Sequence, residues 1–83
     1  MAIDFARLRG LTAREMAAAL SRDGFTIDRQ RGSHRLYYHA DGRRVTLAYH
    51  TSGDTFPIGT LRSMVERQAR WTEDDLRRLG LGK

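Results

Sequence analysis

The sequence has no cysteine, so neither a disulfide nor a thiolate metal site can hold it together. That suits a reducing compartment, and a cytoplasmic location is the expectation. No apolar run approaches the roughly 20 residues needed to cross a bilayer, and the opening MAIDFARLRG lacks the apolar core of a signal peptide. No membrane association is therefore expected. The phosphate-binding glycine patterns GxGxxG and GxxxxGK[ST] are missing as well, and no small-molecule cofactor is expected. Lysine is nearly absent. Of 15 basic residues only Lys83 is lysine, and acidic residues number 10, which leaves a net charge of +5. At 83 residues there is room for one small domain, taken as residues 1–83 with a core over about 11–79.

What is present is arginine. A small basic domain with a pI near 10.7 points to a polyanionic partner, nucleic acid first. A genome biased towards arginine codons would give the same composition, so charge alone names no function.

The order of elements is legible. Thr12 can cap a helix, and Glu15 three residues later completes a capping box. Ala13, Met16, Ala17 and Leu20 recur at helical spacing, and Gly24 supplies a stop, so a first helix is predicted over about 13–23. The period then changes to two. Phe25 and Ile27, Leu36 and Tyr38, and Val45, Leu47 and Tyr49 mark the apolar sides of three strands. Gly32 turns the chain between the first two. Ala40-Asp41-Gly42-Arg43, with its Asp-Gly pair, turns it between the second and third. Turn residues fill 51–58, Pro57 among them. A second helix beginning near Gly59-Thr60 presents Leu61, Met64, Val65 and Gln68 on one stripe. Thr72 caps a short third helix with Asp75 in the capping-box position, and Trp71 and Leu76 form a hydrophobic staple. Residues 1–10 and 80–83 read as free ends. The order α-β-β-β-α with a short C-terminal helix predicts an α+β, two-layer sandwich. That is the arrangement of double-stranded-RNA-binding domains, although fold alone does not give function.

The chemistry-bearing candidates are His34, His39 and His50. His34 and His39 are five positions apart, so on a strand they point to opposite faces and cannot share one ion. With no cysteine to help, no metal site is expected. Histidine can move protons near neutral pH without a metal, and RNA carries its own nucleophile in the 2′-hydroxyl. Arg31, Gly32 and Ser33 directly before His34 can clamp, admit and hydrogen-bond a phosphate. The plain alternative is that His34 shares the core-facing side of its strand with Leu36 and Tyr38 and is a hydrogen-bonded structural residue. His39 reads as a solvated turn residue. His50 ends the third strand, either contacting RNA or simply exposed. Tyr37 is placed on the outer face with Arg35 and His39, where it can stack a base or pack across strands. Tyr38 and Tyr49 are placed in the core. Arg43 and Arg44 either touch phosphate or are solvated surface.

Read in order, Gly24-Phe25, Arg29-Gln30-Arg31-Gly32-Ser33-His34, Asp41-Gly42-Arg43, His50 and Gly59-Thr60-Leu61 give the chain a familiar outline. It resembles the HicA-type (YcfA-like) mRNA interferase toxins of bacterial toxin–antitoxin pairs over about residues 11–79. The resemblance implies the double-stranded-RNA-binding-like fold and metal-free cleavage of mRNA. It also implies neutralisation by a HicB-type antitoxin and assigns the catalytic role to His34. Arg29, Arg31, Gly32, Ser33, Arg35, Tyr37 and His50 are the expected RNA-binding residues. The chain departs from the family in the approach to His50, where Leu47-Ala48-Tyr49 replaces a frequent proline, and in a slightly longer 50–59 loop without lysine. Two other functions fit the same residues: an RNA-binding module that does not cleave, and a protein-interaction domain whose basic face docks an acidic partner.

Overall fold

The computed structural model describes residues 3–81. A 3-10 turn at Phe5–Leu8 precedes helix α1 (Ala13–Arg22). Strands β1 (Thr26–Arg31), β2 (His34–Tyr38) and β3 (Arg44–Ala48) follow. Helix α2 (Ile58–Arg62) runs directly into a π-helical stretch, Ser63–Gln68, and helix α3 (Glu73–Arg78) comes last. The strands form one antiparallel sheet in the order β1-β2-β3. The fold is α+β, a helix, a three-stranded meander and then helices, as in double-stranded-RNA-binding domains.

Both predicted capping boxes are made. Thr12 accepts from the Glu15 backbone N–H while the Glu15 carboxylate accepts from the Thr12 N–H, and Thr72 and Asp75 do the same at α3. The two N–H groups at the start of α1 that these bonds leave over donate elsewhere. Ala13 N–H reaches the Asp54 carbonyl at 2.8 Å and Arg14 N–H the Ser52 carbonyl at 2.9 Å. The loop after β3 is thereby fastened to the end of α1. Gly24 takes a φ of +99° beyond the C-terminus of α1, a conformation that side chains rarely adopt.

The helices cover one face of the sheet. Met16 and Leu20 of α1 and Leu61, Met64 and Val65 of α2 and its π-helical extension are buried with Val45 and Leu47 of β3. Fully burying a side chain of this size stabilises the fold by about 1.5–3 kcal/mol. Trp71, Leu76 and Leu79 close one end of this core. Gln68, the last residue of the π-helical stretch, uses its side-chain oxygen to accept the Thr46 N–H at 2.8 Å, satisfying an outer hydrogen-bonding group of edge strand β3.

Three expectations are corrected. First, the phase of β2 is opposite to that read from the sequence. Tyr37 is 4% exposed and belongs to the core, whereas Tyr38 is 38% exposed. The cause is the hairpin. A two-residue Asp41-Gly42 turn would set Tyr38 against Val45, but the loop has three residues, 40–42. It is closed by the His39 N–H on the Arg43 carbonyl, with Gly42 at φ +99°. Tyr37 is therefore the partner of Val45, and Arg35 that of Leu47. A slip of one residue moves every side chain to the other face. Second, Ile27 is 52% exposed rather than core, because β1 is an edge strand exposed along its whole length. Third, the ends are not free where they are described. Phe5, Leu8 and Leu81 are buried in the core cluster; residues 1–2 and 82–83 of that expectation lie outside the described residues.

Candidate functional site

The turn between β1 and β2 is the two residues Gly32-Ser33. Gly32 takes a φ of +58°, as the first central residue of a tight hairpin turn of the II′ kind does. A methyl group added at Gly32 would meet nothing within 4 Å, so the space over this turn is open. His34 follows as the first residue of β2, paired with Arg31 on one side and Ala48 on the other.

A β-bulge decides what surrounds His34. Ile27 pairs with Tyr37 and Arg29 with Leu36, so Asp28 is an extra residue in β1. Simple alternation would put Arg29 and Arg31 on the side of Ile27, facing the helices. The bulge exchanges the sides. Arg29 and Arg31 then share the open face with His34, Leu36 and Tyr38, and Arg44, Thr46 and Ala48 of β3 complete it through their pairing with Tyr38, Leu36 and His34. His34, Arg29 and Arg31 are all exposed. Among the described residues, neither ring nitrogen of His34 is hydrogen-bonded, and Arg29, Arg31 and Arg44 make no ion pair. The carboxylates that form ion pairs with arginine, those of Asp23, Asp41, Glu66, Asp74 and Asp75, do so with Arg43, Arg62, Arg77 and Arg78. His34 is thus an outward-facing residue and not the core-side residue its parity suggested.

Two expected RNA contacts are not part of this face. The Arg35 guanidinium lies 4.0 Å from the centre of the Tyr49 ring and donates to the carbonyls of Ser33 (3.2 Å) and Tyr49 (3.4 Å). It braces the β1–β2 turn from the helix side. Tyr37 is buried beside it. Burial, with the neighbouring Tyr49, pushes its phenol above the usual value and so keeps it neutral.

His50 is exposed and lies one residue past the last ladder bond of β3, Tyr49 N–H to the Ser33 carbonyl at 3.0 Å. Its backbone therefore runs beside the Gly32-Ser33 turn. The backbone N–H groups of His50 and Thr51 both donate to the Asp54 carboxylate, at 2.9 and 3.1 Å. These bonds, Thr51's first, hold the Asp54 carboxyl below its ordinary value. The loop that lacks lysine is thus shaped by its own aspartate.

His39, expected in solvent, is instead tucked under the sheet. Its ring meets Phe25 edge-on with centroids 5.1 Å apart. Its Nε2–H donates to the Asp23 carbonyl at 2.9 Å, and its Nδ1 accepts the Asp41 N–H at 3.1 Å. It lies on the other side of the sheet from His34, so the two do not converge on one ion. Arg43 is likewise structural, donating to Asp23, Asp41 and the Ala69 carbonyl. The outward placement of Tyr38 was missed, whereas Arg44 is exposed, as its alternation with Val45 and Leu47 predicts. The signal that finds Tyr38 is the fixed phase of Val45 and Leu47, carried across a three-residue hairpin loop.

No curated protein matches the chain. The family model described as the HicA toxin of bacterial toxin-antitoxin matches residues 13–71, a span that runs from the start of α1 to Trp71 and includes the whole sheet with His34. The chain belongs to the HicA toxin family, the toxin side of bacterial toxin–antitoxin pairs.

Proposed function

We propose that this toxin is a metal-independent endoribonuclease that cleaves mRNA in the cytoplasm, with His34 as its general acid/base. The 2′-hydroxyl of the substrate attacks the adjacent phosphorus, the new 2′-O–P bond forms and the P–O5′ bond breaks. His34 takes the 2′ proton or delivers one to the departing 5′-oxygen, and the products are a 2′,3′-cyclic phosphate and a 5′-hydroxyl. Arg29 and Arg31 offset the charge that accumulates on the phosphorane-like transition state. The open Gly32 turn admits the phosphate to the backbone, and Ser33 donates to it. His50, beside the same turn, is the second proton carrier. A HicB-type antitoxin neutralises the toxin by covering His34.

The observation that carries this reading is the placement, among the described residues, of an exposed, unbonded imidazole opposite Arg31 and near Arg29, neither of them ion-paired, on the open face of the sheet. A labelled mRNA incubated in EDTA with wild type or with His34→Ala tests it. Wild type is expected to cleave, and the variant to lose on the order of 10²–10⁴-fold in rate, the usual contribution of a positioned acid or base. Equal cleavage by both would remove His34 from the chemistry. Loss of wild-type cleavage in EDTA would remove the metal-free claim.

One observation favours a second reading, RNA binding without turnover: among the described residues none hydrogen-bonds the His34 ring to fix its tautomer, as catalytic histidines often require. Growth arrest on expression, relieved by His34→Ala, decides for the nuclease.

A further inference from the structure

The open face of the sheet is larger than the surroundings of His34. Its far end is formed by Tyr38, the last residue of β2, and Arg44, the first of β3, which pair directly across the strands. The Arg44 guanidinium stands 5.5 Å from the centre of the Tyr38 ring. Among the described residues Tyr38 is one of three large apolar side chains left exposed, and the one that shares a face with His34. Between the two ends the outward residues that pair across the strands are Thr26, Arg29, Arg31, Leu36, Thr46 and Ala48; Asp28, exposed in the bulge of β1 beside Arg29, is the one acidic residue of the three strands.

We propose that this face is a track for single-stranded RNA and that Tyr38 with Arg44 is a base-stacking subsite remote from the cleaved bond. The proposal rests on the nuclease reading for the position of that bond, and on the sheet geometry for everything else. Charge selects the occupant: Arg29, Arg31 and Arg44 face outward without carboxylate partners, which suits a polyphosphate backbone. The exposed aromatic selects its form. A duplex keeps its base faces stacked internally and is held through phosphates and 2′-hydroxyls, whereas a single strand offers each base as a flat apolar face for an aromatic ring. Tyr38 lies four residues along β2 from His34, roughly 13 Å at strand spacing. That distance is covered by about four stacked nucleotides, or fewer when the strand is stretched. Tyr38 therefore reads a base a few nucleotides from the scissile phosphate, and Arg44 holds the phosphate next to that base.

Binding tests this separately from cleavage. In the His34→Ala background, a short fluorescently labelled single-stranded RNA is titrated against the protein, alone and annealed to its complement. Tyr38→Ala is expected to weaken single-strand binding by roughly tenfold or more, the usual loss for one stacked base. Tyr38→Phe is expected to bind like the parent, and the duplex to bind more weakly than the single strand. Arg44→Gln is expected to lower the slope of log affinity against log salt by about 0.7, the value of one phosphate contact on a single strand. Thermal melts show that the exposed substitutions leave the fold intact. Unchanged single-strand affinity in Tyr38→Ala, or a duplex preferred over the single strand, overturns the proposal. So does a variant that keeps its RNA affinity but no longer captures the antitoxin, since the face then belongs to the protein partner. If His34→Ala still cleaves, the assignment of the chemistry to His34 falls while the binding results stand.

Discussion

His34, His39 and His50 are the same side chain in three chemical situations, and the difference lies in what the backbone does around each. His34 heads a strand on the open face. His50 follows a strand end, its N–H held by Asp54 and its ring in solvent. His39 has both ring nitrogens engaged and its ring edge against Phe25. Gly24 is part of that arrangement: a methyl group there would stand 3.0 Å from the His39 Nε2, tighter than ordinary contact, so the imidazole would have to give way by a few tenths of an ångström. Stability and activity are therefore expected to separate between two histidines. His39→Ala removes two hydrogen bonds and an edge-to-face contact, and is expected to cost about 1–3 kcal/mol. In a domain of this size each kcal/mol lowers Tm by about 4–8 °C. His34→Ala is expected to leave Tm almost unchanged and to abolish cleavage. Parallel melts and cleavage assays check this, and a His39→Ala protein of wild-type stability would show the ring to be dispensable.

At the scale of elements, the bulge at Asp28 is the feature that assembles the site. It brings Arg29 and Arg31 to the side of His34 in a strand whose sequence phase says otherwise. The pairs flanking the bulge, Ile27 with Tyr37 and Arg29 with Leu36, involve adjacent residues of β2. Deleting Asp28 closes β1 into a regular strand with the same partners. The deletion is therefore expected to change stability by no more than about 1 kcal/mol, as exposed changes usually do, and to leave Arg29 and Arg31 outward. Cross-strand NMR contacts between Arg31 and His34 report the register directly. Their disappearance in a folded deletion variant would mean that β1 keeps this register on β2 only with the extra residue in place. This also marks what the sequence could disclose. The capped start of α1, the staple of Trp71 on Leu76 and the core phase of Val45 and Leu47 rest on local chemistry and were legible. The phase of β2 was not, because Tyr37 and Tyr38 are equally apolar neighbours and a hairpin loop one residue longer reverses them. The bulge leaves no local mark, and neither does the π-helical turn that brings Gln68 to Thr46. Of the candidate site, the Arg29–His34 segment was legible through its motif. Arg35 and Tyr37 were placed on the wrong face because the register that decides them is a long-range property.

At the scale of the whole molecule, one carboxylate joins elements that are distant in sequence. Asp23, at the C-terminal end of α1, has a side chain only 9% exposed. It accepts from the Trp71 Nε1–H at 2.8 Å, from Arg43 of the β2–β3 connection at 3.1 Å and from Arg78 of α3 at 2.9 Å. Burial pushes its carboxyl up, but the hydrogen bonds from Trp71 and Arg78 and the charge of Arg43 outweigh that and hold it below its ordinary value. A group whose pKa is depressed by folding stabilises the fold above its unfolded pKa, about 3.9 for aspartate. That contribution is lost as pH falls from there through the folded pKa. Asp41, Asp54 and Asp75 are also held low, so the fold is expected to weaken in acid as a whole below about pH 4. Asp23→Asn isolates the share of the central carboxylate. It keeps the shape but removes the charge that faces two arginines, and is expected to cost about 2–4 kcal/mol at neutral pH. Since a protonated Asp23 is as neutral as the amide that replaces it, the gap between wild type and variant is expected to shrink below about pH 4. Urea melts of both proteins from neutral pH down into the acid range measure this. A gap that stays constant to the acid end would mean that the loss comes from altered packing at Trp71 and not from the charge.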